Sequence, residues 1–165
     1  MEMTKILLEE LEQEAQTTRK MLAIVPADKF DWQPHPKSMT LKMLSAHVAE
    51  LPVWIALGLT TYGLDFGVSP YQPKDVKNEA ELMAYFEESL AAGLTQLSAA
   101  KEAVLSEPWI LRNGAQIYQT FTKASLIRHS LSQLIHHRAQ LGVFLRLLDI
   151  PIPGSYGPSA DDTQG

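Results

Sequence analysis

The 165-residue chain has no cysteine. That absence excludes disulfides, a thiolate nucleophile and thiolate metal ligands, so any sulfur chemistry must use a thiol brought by the substrate; it also suits the cytoplasm. Positive charge is scarce, with 14 Lys and Arg against 19 Asp and Glu, a formal charge of -5 and a pI near 5.5. The basic residues are scattered rather than clustered, so nucleic acid is not an expected partner. Long apolar runs are missing too. The most apolar stretch, 41–59, is interrupted by Lys42, His47, Glu50 and Pro52, which argues against a bilayer-spanning segment and against a membrane partner. The first ten residues are acidic and amphipathic rather than basic and then apolar, so a cleaved signal peptide is not expected. Several motifs are absent as well: H-E-x-x-H, the Glu-x-x-His pair of di-iron bundles, a phosphate-binding glycine loop and a nucleophile elbow. Covalent catalysis through serine or cysteine therefore has no support.

What is present is 45% hydrophobic residues arranged at helical spacing. One domain over 1–150 is expected, followed by a tail over 151–165 rich in proline and glycine. A first helix is predicted over about Met3–Ile24, with Ile6, Leu7, Leu11, Ala15, Thr18 and Leu22 on one face. The proline-rich loop 26–39 leads to a cap at Ser38 or Thr40 and a second helix over about Leu41–Thr60, which Pro52 is expected to bend or open. After a connector with Gly63, Gly67, Pro70 and Pro73, Asn78 caps a third helix over about Glu79–Leu105. Pro108 and Asn113-Gly114 break the pattern, and a fourth helix runs over about Phe121–Asp149. No strand alternation stands out, so the expected fold is all-α, a four-helix bundle.

Helical phase sorts the histidines, because each residue advances roughly 100° around the axis. In the fourth helix Leu134, Leu141, Phe144, Leu145 and Leu148 define an apolar arc that contains His137. Gln133 lies toward the same edge one turn earlier, and His129 a turn before that, while His136 and Arg138 rotate to opposite flanks. In the second helix Leu41, Leu44, Val48, Leu51, Ile55 and Leu59 form the arc, with His47 at its margin and Trp54 two turns on. Glu50 lies farther round, at the mouth of a site or in solvent. An inward histidine has two readings, a hydrogen-bonded core residue and a metal ligand, and two of them on separate helices strengthen the second. Trp32, Trp54 and Trp109 read as packing residues, with Trp54 also placed to wall a pocket; His35 and His136 read as surface residues.

Leu44-Ser45-Ala46-His47, preceded by Ser38-Met39-Thr40, together with His136-His137-Arg138-Ala139-Gln140-Leu141, resembles the DinB/YfiT-like superfamily of four-helix-bundle metalloproteins. Leu145–Pro153 and Gly154–Ser159 are similar to that family's C-terminal segment, so the resemblance spans most of the chain. It implies that His47 and His137 are two of three metal ligands. The third family ligand is a histidine four residues before His137, where this sequence has Gln133, a neutral and weaker donor. The implied cofactor is a divalent metal, zinc or nickel. The implied activity is that of a divalent-metal-dependent transferase or hydrolase acting on a small molecule, with the family's thiol-transferase branch and a low-molecular-weight thiol as template. Glu50 is then the candidate for proton movement, Gln140 for orienting a ligand, and Trp54 and His129 for lining the pocket. A homodimer and a part in stress response or detoxification are implied by the same resemblance. The competing expectation is a non-catalytic bundle, a small-molecule-binding or dimerisation module with a degenerate metal site.

Overall fold

Five α-helices and a small three-stranded sheet make up the regular structure of residues 2–162, the part of the chain that the computed structural model describes. Residues 163–165, the end of the expected tail, lie outside the described residues. The helices are α1 (Met3–Leu22), α2 (Leu41–Glu50), α3 (Val53–Thr60), α4 (Glu79–Ala99) and α5 (Lys123–Leu147), and the strands are β1 (Gly63–Asp65), β2 (Pro108–Asn113) and β3 (Gln116–Thr122). The all-α expectation is thus corrected: the fold is mostly helical, with a sheet in the order β1-β2-β3.

The predicted second helix is two helices, bent by 43° between α2 and α3. Pro52 is the cause, since it has no N–H to give and its ring collides with the carbonyl one turn back. Short turns take over at the elbow, with Trp54 N–H donating to Leu51 O and Ile55 N–H to Pro52 O, each at 3.2 Å. Ser130 of α5 also donates its hydroxyl to Leu51 O at 2.6 Å, binding the elbow to the neighbouring helix. The third predicted helix ends early, at Ala99, and Glu102–Ser106 form a 3₁₀ turn.

The segment read as a break is a hairpin. Asn113 pairs with Gln116 across a two-residue loop, and Gly114 has φ +56°. A positive φ at the first loop residue alone is the pattern of a type II′ turn, which favours glycine there. β1 joins β2 in parallel register, Gly63 opposite Ile110.

Side-chain caps set the helix starts. Thr40 accepts from Met43 N–H, Asn78 accepts from Glu81 N–H, and Thr122 and Ser125 form a reciprocal capping box at α5. α5 ends with Asp149 in the left-handed region (φ 58°), Ile150 N–H bonding Leu145 O and Asp149 N–H bonding Arg146 O, a Schellman arrangement. The core is built from Leu11 and Leu22 of α1, Leu44 and Val48 of α2, Ile55 of α3, Phe86 of α4, and Ile127 and Leu141 of α5. Each such side chain contributes about 1.5–3 kcal/mol by leaving water. Among the described residues no single helix is long and apolar enough to cross a membrane; the bent pair α2–α3 passes that test together, and its apolar side chains Leu41, Leu44, Val48 and Ile55 are buried in this core.

Candidate functional site

α2 and α5 pack side by side and each carries one imidazole to their junction. The rings of His47 and His137 lie 4.6 Å apart, centre to centre, at an angle of 77°. His47 Nδ1 is 3.0 Å from Glu50 Oε1, one turn along α2. His137 Nδ1 is 3.0 Å from Gln140 Oε1, one turn along α5. A carboxylate and an amide oxygen only accept, so each histidine in its neutral form carries the proton on Nδ1 and the lone pair on Nε2. Burial pushes the His137 pKa below its ordinary value, the Gln140 bond pulls it back up, and the neighbouring His47 and His136 lower it further.

Glu50 is not at the mouth of the site or in solvent. It is 5% exposed, and besides His47 it accepts from the Tyr71 hydroxyl at 2.8 Å and the Tyr85 hydroxyl at 3.3 Å. Tyr71 comes from the connector between β1 and α4, and Tyr85 from α4. Burial, then the Glu50 carboxylate, raise the pKa of both phenols, so they stay protonated donors. The Glu50 carboxylate accordingly acts on His47 as an orienting group, with three donors holding it in place.

A cavity of about 270 Å³ opens beside the two imidazoles. Gln133 and His129 line it from α5, Leu51 and Trp54 from the elbow, and Leu111 and Phe121 from the hairpin. The Gln133 amide nitrogen is 3.4 Å from His129 Nε2, which occupies the nitrogen and leaves the oxygen as that side chain's metal-donor atom. His136 is exposed, as expected, though its ring centre lies only 4.9 Å from that of His137. Trp32 packs edge-on against Phe144, and Trp109 is fully buried with its Nε1–H donating to Thr61 Oγ1 at 2.9 Å.

The hairpin wall is the part that sequence reasoning missed. Trp109 pins it to the end of α3, and opposite Trp109 in the ladder stands Phe121. Lys123, buried at the start of α5, adds bonds to Leu59 O at 3.2 Å and Glu107 at 3.1 Å. Asn113-Gly114 between Trp109-Ile110-Leu111 and Ile117–Phe121 is a readable hairpin signature. Nothing in the local sequence announces Tyr71 or Tyr85 as partners of Glu50.

The donor set can be weighed for a metal. Two imidazole nitrogens at about 2.1 Å from one tetrahedral ion hold their ring centres about 5.3 Å apart, and the observed 4.6 Å corresponds to a narrower angle at the ion, about 90°. Among the described residues, however, no group of three or more His, Cys, Asp or Glu converges as a metal centre. An ion held here would draw on the two imidazoles, the Gln133 amide oxygen and solvent.

A helical bundle with a small sheet and an imidazole pair at the junction of two helices is the class that fold and site define. The chain belongs to the DinB family, whose profile matches residues 1–164. Among solved structures it is similar to a DinB-like protein from Bacillus subtilis at 17% identity, covering 90% of this chain and 96% of that one, with a TM-score of 0.68. A DinB-like protein from Bacillus cereus, also at 17% identity, covers 91% and 95% with a TM-score of 0.69. A conserved protein from Enterococcus faecalis at 19% identity covers 90% and 98% with a TM-score of 0.65. At these identities the likeness shows the fold alone. No curated protein matches the sequence.

Proposed function

We propose that the chain is a divalent-metal-dependent enzyme that joins a low-molecular-weight thiol to a small electrophile. The observation that carries this is the pair of adjacent imidazoles with both Nδ1 atoms tied back, by Glu50 and by Gln140, beside a cavity. His47, His137 and the Gln133 oxygen would hold zinc or nickel. When bound, the ion supplies a Lewis acid that favours the deprotonated form of a thiol at neutral pH. The chain's own residues do the rest. Glu50 and Gln140 fix the tautomer and direction of the imidazoles, Tyr71 and Tyr85 fix Glu50, and Leu51, Trp54, Leu111 and Phe121 keep water from the cavity's inner end.

A second reading, a binding bundle without catalysis, is favoured by the lack of a third His, Cys, Asp or Glu among the described residues. One set of proteins separates the two. Wild type should bind one zinc or nickel per chain by elemental analysis and calorimetry, His47→Ala and His137→Ala should lose it, and Gln133→His should bind at least tenfold tighter. A thiol-plus-electrophile assay should then follow metal content across the set. Metal content unchanged by both alanine variants would reject the site, and full occupancy without thiol transfer would leave the binding reading.

A further inference from the structure

The cavity has two unlike ends. Histidines and Gln133 make one. The other is apolar, and it draws on the elbow, the hairpin and α5 through Leu51, Trp54, Leu111, Phe121 and Leu126. The polar side chain among these walls is Ser130, and its hydroxyl is already spent on Leu51 O, so it offers an incoming molecule no donor. No Lys, Arg, Asp or Glu lines the cavity. In the metal-free protein a carboxylate or phosphate drawn inside would lose its water and meet no lysine or arginine in the walls.

Size and shape narrow the choice further. At about 270 Å³ the cavity is nearly twice the roughly 150 Å³ that accepts a benzene ring in an engineered protein core. Two fused rings therefore fit within it. Trp54 of α3 and Phe121 of β3 bring flat π-surfaces from separate elements. Phe121 is held in place, its ring centre 6.3 Å from Trp109 and 5.3 Å from His129.

We infer that the organic partner of this site is a neutral, flat, two-ring aromatic molecule that seats against Trp54 and Phe121 with its reactive edge toward the imidazoles. The charged groups of a thiol partner stay outside the cavity. Calling this molecule a substrate rests on the function proposed above; its binding does not, because the apolar end needs no metal.

Calorimetry on the full-length, metal-stripped protein tests it, with 2-naphthol as the neutral probe and naphthalene-2-carboxylate as its anionic twin. One saturable site for 2-naphthol is expected, with the carboxylate at least tenfold weaker. Trp54→Ala and Phe121→Ala should each weaken 2-naphthol at least fivefold. Leu111→Trp, which fills the cavity while keeping its apolar surface, should abolish binding with the thermal melt retained. Absence of saturable binding to wild type, equal affinity for the anion, or undiminished binding in folded Leu111→Trp would each overturn the inference. A protein that takes 2-naphthol as described but no zinc loses the metal reading and keeps this one; the reverse result loses this one alone.

Discussion

His137 stands where its helix turns from core to cavity, and its partial burial makes a charge there costly. Its pKa in the folded chain lies below the ordinary histidine value, so protons bind more weakly to the folded state than to the unfolded one. The stability this group contributes is therefore fully present above the unfolded value, about 6.5, and declines as pH falls through and below it, levelling once the folded ring titrates as well. In metal-free protein the His137 ring proton resonance should titrate with a midpoint below 6.5, and a midpoint at or above it would mean the ring is not desolvated. Helical phase, which acts over one or two turns, turns His47 and His137 toward one interior, where they meet; Gln140 entered only through the family resemblance. The role of Glu50 was not legible in the sequence. Its two phenolic donors stand 21 and 35 residues further along the chain, and no local rule links them. Arg138 shows the same limit: phase put it on a flank, whereas it is 2% exposed, its guanidinium turned into α1.

The elbow at Leu51–Pro52 depends on α4 lying close behind it. Gly93 makes that approach possible, since a Cβ there would stand 2.7 Å from Pro52 O, a backbone atom with little room to yield. Alanine would gain up to about 1 kcal/mol in helix propensity but lose about 1–3 kcal/mol to overpacking, so Gly93→Ala should come out destabilising. Denaturant unfolding checks this, and a variant as stable as wild type would mean that α4 does not hold the elbow. Four helical segments were readable because long apolar stripes repeat at helical spacing, and the bend at Pro52 was expected from its missing N–H. The sheet was not. β3 leaves most of its side chains exposed, with Phe121 turned partly inward, so its apolar alternation is weak. In β2 the adjacent Ile110 and Leu111 are both half-buried, which blurs its alternation. Asn113-Gly114 consequently reads as a break between two helices rather than as a hairpin turn.

The two ends of the chain meet across the bundle. Arg138 of α5 donates to Glu14 of α1 at 2.5 Å and to Thr18 at 3.1 Å, all three being buried. Tyr156 of the tail places its hydroxyl 2.8 Å from Glu14 and 3.0 Å from Arg138. Asp161 holds the tail a second time, through Arg146 and the Ile152 amide. Removing one member of a buried pair strands the other, so Arg138→Ala should cost about 3–5 kcal/mol. Restoring an apolar match with Arg138→Met and Glu14→Leu together should recover most of that loss, as judged by urea midpoints; a single variant with wild-type stability would show that the pair is not a keystone. The tail was expected to begin at 151 and helical structure to stop before it. That its tyrosine reaches a carboxylate 142 residues earlier is a property of the assembled molecule. Synthesis runs in one direction, and Glu14 leaves the ribosome 124 residues before its arginine. At about 5–20 residues per second that is a wait of roughly 6–25 seconds, during which α1 can pack against α4 but Glu14 has no arginine to meet and one of the two histidines has not been made. The cavity's walls are incomplete until His137 has been made, so whatever occupies it must arrive after most of α5 has emerged.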